Sequence, residues 1–288
     1  MVSKVSRFVS RLIRTLKAVR QCWLVGGVKM LNVTQIQHGE ILKGKRVLIT
    51  GGSAGIGLAI AKKCLSEGAI VVITGRSQQR LEFALKELGS SSAHAAQWDV
   101  SLISQRAEKH AEVVKLAGGP IDVLVNNAGI LGGSRQFVDL TEDTWDELIA
   151  VNSKGLVFLT QHVVREWMQL KHCGKIINMS SMRGTLGVQD GPYGMSKWGL
   201  NGLTHGLGAK LALHGIIVNG IAPGIIATDS VAIKNMDVKK NAYLDYIPVK
   251  RVGLSEEIAE LAIFLMSDAA NYIVGQTIVC DGGYTLKA

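Results

Sequence analysis

No acidic residue precedes Glu40 in this 288-residue chain. Residues 1–46 carry ten basic side chains and that one acid, whereas residues 47–288 carry 22 of each sign. The formal charge of +9 is therefore the property of a tail, and a basic, nucleic-acid-reading body is excluded. Cysteine is scarce: the four at 22, 64, 173 and 280 never fall at CxxC spacing, which argues against a zinc cluster or a thioredoxin-type redox pair. Reduced, buried thiols in a reducing compartment are expected, and with them a cytoplasmic location. The seven histidines show no HxxxH spacing, so no metal is expected. Long apolar runs are also missing. The longest uncharged one, Gly215 to Thr228, contains Asn219 and Pro223 and is too short to span a bilayer. Only four prolines stand against 33 glycines, which points to many tight turns rather than a low-complexity chain. The hydrophobic share of 47% is enough for a real core.

The tail has its own pattern. Val5, Phe8, Leu12, Ile13, Leu16, Val19 and Trp23 recur at helical spacing, and Lys4, Arg7, Arg11, Arg14, Lys17 and Arg20 fill the opposite face. Three readings stay open for this basic amphipathic segment. It lies on an anionic membrane surface, it targets the chain to the mitochondrial matrix, or it extends upstream of a functional start near Met30. A secretory signal is not expected, because no continuous apolar core follows the charges. Two regions result: a basic N-terminal helical extension over residues 1–41 and one domain over residues 42–288.

The domain alternates. Lys45–Thr50 reads as a buried strand, a glycine-rich turn follows, Leu58–Glu67 reads as a helix closed by Gly68, and Ala69–Thr74 reads as a second strand. Strand, helix, strand in this order makes a parallel pair. Further strands are expected at Val123–Val125, Lys175–Met179, Ile216–Ile221 and Thr277–Cys280, with helices over Thr144–Met168, Pro192–Leu213 and Ser255–Met266, the last starting like a capped helix with Ser255 before Glu256 and Glu257. Such alternation predicts an α/β fold: a doubly wound parallel sheet with helices on both faces, in a single domain.

The turn Thr50-Gly51-Gly52-Ser53-Ala54-Gly55-Ile56-Gly57 sits between strand and helix. A diphosphate at such a helix start meets free backbone N–H groups and the positive end of the helix dipole, and glycine lets the backbone approach it. Farther on, Tyr193 and Lys197 are four residues apart, on one face of an expected helix. A free phenol is a weak acid at neutral pH; a nearby ammonium favours its ionised form and lowers its pKa. The pair can then give a proton to an alkoxide or take one from an alcohol.

TGGSAGIG at 50–57, NNAG at 126–129, Asn152, Ser180-Ser181, YGMSK at 193–197, APGIIAT at 222–228 and DGG at 281–283 follow one another in the order of a known family. The set resembles the short-chain dehydrogenase/reductase family over residues 42–286. The resemblance implies a Rossmann-type fold and hydride exchange between a nicotinamide dinucleotide and a secondary alcohol or ketone. It implies that Thr50, Gly51, Ser53, Gly55, Ile56 and Gly57 hold the dinucleotide. Asp99 and Val100 would contact the adenine, Asn126 the ribose side together with Ala128 and Gly129, and Pro223, Gly224, Ile226 and Thr228 the nicotinamide.

By the same resemblance Asn152, Ser181, Tyr193 and Lys197 form the catalytic set, with Lys197 also on the nicotinamide ribose and Asn152 anchoring a water relay to it. A second donor on the substrate oxygen stabilises the charge that develops there. The sequence departs from the family in one respect. The family's serine usually stands thirteen residues before the tyrosine, a count that Ser180 meets. Ser181 is twelve before, but Ser181-Met182-Arg183-Gly184 matches the family's Ser-x-x-Gly. Both serines stay open, with Ser181 preferred.

NAD-binding folds usually end the second strand with a carboxylate for the ribose hydroxyls. Here Gly75 and Arg76 stand in that place. A guanidinium can hold a 2′-phosphate, so NADP(H) is expected over NAD(H). Two alternatives remain: an NAD-preferring enzyme of the same family, and a non-catalytic dinucleotide-binding regulator. The glycines at 194, 199, 202, 206 and 208 weaken their own helix unless a second backbone packs close. By the resemblance that partner is the same helix of a second copy, giving a homodimer or homotetramer. The substrate is expected to be a small carbonyl or alcohol compound, with residues 229–246 over its pocket.

Overall fold

The computed structural model describes residues 40–131, 137–186, 191–228 and 242–287. The amphipathic pattern of the first 23 residues lies outside them, as does most of the segment expected over the substrate pocket.

Seven strands form one parallel sheet: β1 (Arg46–Thr50), β2 (Ile70–Gly75), β3 (Ala93–Gln97), β4 (Val123–Asn126), β5 (Lys175–Met179), β6 (Ile217–Pro223) and, last in the chain, β9 (Thr277–Cys280). Their order is β3-β2-β1-β4-β5-β6-β9. The central strands are apolar at nearly every position because helices cover both faces. Within β1, Val47 and Ile49 join one core with Ile60, Val71 and Ile263. Leu48, between them, joins the other with Val72, Leu124, Leu159 and Trp167. This is the two-residue alternation of a strand, buried on both sides. Between β6 and β9, two short strands, β7 (Ile226–Ala227) and β8 (Gly253–Leu254), pair in parallel.

Eight α-helices are described: α1 (Gly55–Ser66), α2 (Gln78–Leu88), α3 (Arg106–Ala117), α4 (Glu142–Ile149), α5 (Leu156–Leu170), α6 (Pro192–Leu211), α7 (Ala242–Tyr246) and α8 (Ser255–Met266). Strand order reverses at β1: the chain moves outward to β2 and β3, then returns to the other side of β1 as β4. The loops after β1 and β4 diverge there and open a crevice at the carboxyl ends of the strands.

Three features differ from the sequence expectation. The single helix expected over Thr144–Met168 is two helices, α4 and α5, joined by a π-helical turn over Ala150–Gly155. Gly155 presses on the backbone here: a Cβ on it would stand 2.4 Å from the Val100 carbonyl oxygen. Ser255 does not cap α8 from outside but is its first residue. Glu257 serves the helix start instead, accepting the Leu254 N–H at 2.9 Å. Finally β3, with its Ala-His-Ala-Ala-Gln sequence, and helices α2 and α3 complete the alternation where no strong strand signal stands.

Candidate active site

The loops after β1 and β4 are tied together before any ligand is considered. The Thr50 hydroxyl accepts the N–H groups of Asn127 and Ala128, both at 3.0 Å. The Asn127 amide donates to the carbonyls of Thr50 at 2.9 Å and Gly51 at 3.0 Å. This closeness requires glycine. A Cβ on Gly51, at φ +65°, would lie 2.9 Å from the Ala128 Cα, and one on Gly57 would lie 2.5 Å from the Asn127 amide nitrogen. Helix α1 starts beside these glycines, with Ala54 at its cap position making no side-chain cap and no acid in its first turn. Its first N–H groups lack the side-chain acceptor that a Ser, Thr, Asn or Asp would supply. The glycine cradle and the uncapped helix start together fit a dinucleotide diphosphate.

Two cavities flank the cradle. One, of about 230 Å³, is lined by Ser53, Gly75, Arg76, Arg80, Trp98, Asp99, Val100, Ala128 and Gly129 among others. The Asp99 carboxylate accepts from the backbone N–H of Ser101 at 3.0 Å and from its hydroxyl at 2.7 Å. Arg80 was not singled out in the sequence. Its signal is its place four residues after Arg76, across the first turn of α2, where Ser77 accepts the Arg80 N–H. Thr74 Oγ1 and Trp98 Nε1 are buried in this wall without a hydrogen-bond partner among the described residues. The second cavity, of about 360 Å³, runs from the glycine turn past Leu131 to Ser180, Ser181 and Tyr193, with Pro223, Gly224, Ile226 and Thr228 on its rim.

Most of the expected residues converge on this crevice. Thr50, Asn152 and Lys197 are buried, at 2%, 1% and 5% exposure. Thr50 makes the loop contacts above. Asn152 sits in the π-helical turn, where its amide brackets Ile130, accepting from the N–H and donating to the carbonyl, both at 2.8 Å. A Cβ on Gly129 would meet Asn152 Oδ1 at 3.3 Å and Lys197 Nζ at 3.6 Å, so the two side chains reach one point of the cleft floor.

Asn126 departs from expectation. Its amide is turned into the core, donating to Thr160 Oγ1 and Asn178 Oδ1 at 2.9 Å each, and Asn178 continues to Thr204. As the last residue of β4, it sends its side chain toward α5 and α6, which carry Thr160 and Thr204.

The two serines point differently. The Ser180 hydroxyl donates to the Lys197 carbonyl at 3.3 Å, down into the start of α6. The Ser181 side chain faces the cavity beside the Tyr193 phenol and accepts the Arg183 N–H at 3.2 Å. Lys197 Nζ donates to the Met179 carbonyl at 2.8 Å and stands 5.7 Å from the centre of the Tyr193 ring.

The electrostatics correct one expectation. Burial is the leading influence on the Tyr193 phenol and raises its pKa; the neighbouring Ser181 hydroxyl and the Arg183 charge pull it back only in part. Lys197 contributes no lowering, because its amine loses its proton near pH 8, before the phenol ionises. Burial also acts on Lys197, pushing its pKa down to about 8. Both groups are thus shifted toward their neutral forms.

Among the described residues no group of three His, Cys, Asp or Glu side chains is placed to hold a metal ion. Nor is any described helix long and apolar enough to cross a membrane.

Comparison with known proteins agrees with this architecture. A family model described as Enoyl-(Acyl carrier protein) reductase matches residues 51–285. The 3-oxoacyl acyl-carrier-protein reductase FabG of Aquifex aeolicus is 38% identical over 248 residues, 84% of this chain and 98% of that protein. Dehydrogenase/reductase SDR family member 4 of Sus scrofa is 34% identical over 93% of this chain and 96% of its own length. A solved short chain dehydrogenase/reductase family protein superposes with a TM-score of 0.75 at 32% identity, covering 85% of this chain and 99% of that one. Fold and cleft define a nicotinamide-dependent oxidoreductase acting on CH–OH groups. The chain belongs to the short-chain dehydrogenase/reductase family.

Proposed function

We propose that this protein interconverts a secondary alcohol and a ketone with NADP(H) as the preferred cofactor. The observation that carries the reading is the meeting of Ser181 and Tyr193 in the cavity that begins in the glycine cradle, with the buried Lys197 amine 5.7 Å from the centre of the Tyr193 ring. A dinucleotide bound along that crevice supplies or accepts the hydride. Ser181 and Tyr193 hold the substrate oxygen, and the phenol gives its proton to that oxygen as the alcohol forms or takes one in the reverse direction. Lys197 orients the nicotinamide ribose, and Asn152 fixes the Ile130 backbone and the water that would carry a proton away from Lys197. Gly51, Ser53, Gly55, Ile56 and Gly57 hold the diphosphate, Asp99, Val100, Ala128 and Gly129 the adenosine half, and Pro223, Gly224, Ile226 and Thr228 the nicotinamide amide. Burial keeps the phenol protonated at neutral pH, which suits it to act first as an acid in ketone reduction.

The cofactor preference rests on Arg76 and Arg80 at one cavity and on the absence of a carboxylate at the end of β2. Two guanidinium groups meet a dianionic 2′-phosphate with charge-assisted hydrogen bonds, and a bare 2′-hydroxyl gains little from them. Titration followed by nicotinamide fluorescence tests this. NADPH is expected to bind at least about ten-fold more tightly than NADH, with the gap closing in Arg76→Ala/Arg80→Ala. Equal affinity for both cofactors in the wild type would contradict the preference.

The outer face of α6 is where we place a second copy of this chain. Gly199, Gly202 and Gly206 have nothing within 4 Å of a would-be Cβ, and Met195 and Trp198 are exposed beside them.

A further inference from the structure

The helix that carries the phenol and the amine also carries a brace for the serine. Tyr193, Lys197 and Asn201 follow one another at four-residue spacing on α6, so their side chains leave the helix in one row. The first two reach the crevice. Asn201, one turn farther on, donates from its amide to the Gly184 carbonyl at 2.8 Å. Gly184 closes the 3₁₀ turn Met182–Gly184 that follows Ser181. The turn lies directly on the helix here: a Cβ on Gly184 would stand 2.8 Å from the Lys197 carbonyl oxygen. Trp198 Nε1 holds the next stretch of the same loop, donating to the Leu186 carbonyl at 3.1 Å.

The turn decides how the serine hydroxyl is used. Ser181 Oγ accepts the Arg183 backbone N–H at 3.2 Å, and the Gly184 N–H bonds back to the Ser181 carbonyl at 2.8 Å. A hydroxyl has one proton to give and two lone pairs. With one lone pair taken by the turn, the proton is left for the cavity, where Ser181 lines the wall beside Tyr193. That orientation is only as firm as the turn. The Asn201 amide is not there for packing alone. Its Oδ1 is buried with no hydrogen-bond partner among the described residues, a cost that an apolar side chain of similar size would avoid. What the asparagine adds over a leucine is the N–H on Gly184.

We propose that Asn201 is a positioning residue for Ser181: by fixing the Gly184 carbonyl it holds the turn whose Arg183 backbone N–H aims the serine hydroxyl at the substrate oxygen. This rests on the oxidoreductase reading above and adds to it a residue that acts from outside the crevice. Asn201 lines neither cavity beside the glycine cradle. It therefore acts on the chemical step, through Ser181, and not on the affinity for the dinucleotide.

The test uses the full-length chain and a double-mutant cycle over Asn201→Leu and Ser181→Ala, read by reduction of ethyl 3-oxobutanoate with NADPH. Asn201→Leu is expected to lower kcat about ten-fold, with KM and NADPH affinity within about two-fold of the wild type. In the Ser181→Ala background the same change is expected to cost less than about two-fold, because the hydroxyl it aims is gone. A rate that falls equally in both backgrounds is the mark of a merely structural role and overturns the inference. Asn201→Asp keeps the shape but replaces the donor with an acceptor, and at about pH 8 it is expected to behave as Asn201→Leu. A wild-type rate in Asn201→Asp overturns the inference as well.

A spectroscopic arm needs no turnover. With tyrosine labelled with carbon-13 at Cζ, the Tyr193 resonance, assigned by its loss in Tyr193→Phe, reports the surroundings of the phenol in the NADP⁺ complex. Ser181→Ala is expected to shift it, Asn201→Leu to shift it in the same direction, and the double variant to match Ser181→Ala. A resonance that Ser181→Ala moves and Asn201→Leu does not overturns the inference and leaves the oxidoreductase reading standing. If Ser181→Ala moves neither rate nor resonance, or if the nicotinamide cofactors do not bind, the reading of the site falls and the inference falls with it.

Discussion

Tyr193 and Lys197 are placed where water is scarce, and their properties follow from that before any ligand is considered. The phenol's pKa is raised and the ammonium's is lowered to about 8. The lysine shift has a sign that stability measurements can read. Below about pH 8 both folded and unfolded chains carry the Lys197 proton, and the folded state bears the full cost of burying the charge. As pH rises from about 8 toward the ordinary lysine value of 10.5, the folded state loses that proton while the unfolded state keeps it, so stability rises. Lys197→Met removes this contribution. Its stability advantage over the wild type in urea unfolding is expected to shrink through that window by about 3 kcal/mol. A difference that stays flat with pH would show that the amine is not desolvated.

The adjacent serines separate at the same scale. Ser181→Ala takes a donor from the substrate oxygen and is expected to lower kcat about 100-fold or more. Ser180→Ala removes a hydroxyl that bonds the Lys197 carbonyl, and is expected to cost about 1 kcal/mol of stability with a much smaller loss of kcat. Paired kinetics and unfolding of the two variants read this out, and the reverse ranking would move the role to Ser180. Counting from the tyrosine could not decide between them. Their directions depend on the 3₁₀ turn Met182–Gly184 that follows Ser181, a property of backbone torsions rather than of residue type.

Among the elements, the π-helical turn between α4 and α5 is one that the sequence concealed. Glu142 to Leu170 keeps helical periodicity almost throughout, and nothing in Ala150-Val151-Asn152-Ser153-Lys154-Gly155 announces an altered turn. Its cause lies elsewhere in the chain, where the Val100 carbonyl approaches the Gly155 backbone. π-turns of this kind recur at functional sites, and this one holds Asn152 against Ile130. Gly155→Ala places a methyl group 2.4 Å from that oxygen and forces one backbone to yield. An expected loss of about 1–3 kcal/mol in unfolding should come with weaker binding of 2′,5′-ADP, because Val100 lines the adenosine cavity. Undiminished binding would mean that Val100 does not contact the nucleotide.

Strand β3 was hidden for a different reason. Its alanines and histidine have little strand preference, and it lies at the sheet edge, where partial burial leaves no apolar run to read. By contrast β1, β4, β5 and β6 were legible because burial on both faces demands apolar side chains at nearly every position.

For the whole molecule, strand order decides where chemistry can happen. The reversal at β1 opens one crevice, and the loops after β1, β4, β5 and β6 bring residues from 50 to 228 to its walls. The glycine turn and the Tyr193/Lys197 pair each have a local geometric reason, but they became legible as a site through the ordered set of motifs that resembles the family. Arg80 was not legible, because a surface arginine on a helix start looks ordinary until the fold shows which cavity it lines. Asn126 erred the other way. The family resemblance implied a contact on the ribose side, while its side chain is hydrogen-bonded into the core.

The claim on which the account depends is that the Tyr193 phenol moves the proton that accompanies hydride transfer. The most direct test is the single-turnover rate of NADPH oxidation by a carbonyl substrate in Tyr193→Phe, with NADPH affinity measured on the same sample. The account predicts a rate about 100- to 10,000-fold below the wild type with cofactor binding retained. A Tyr193→Phe enzyme that binds NADPH and turns over at the wild-type rate would contradict it.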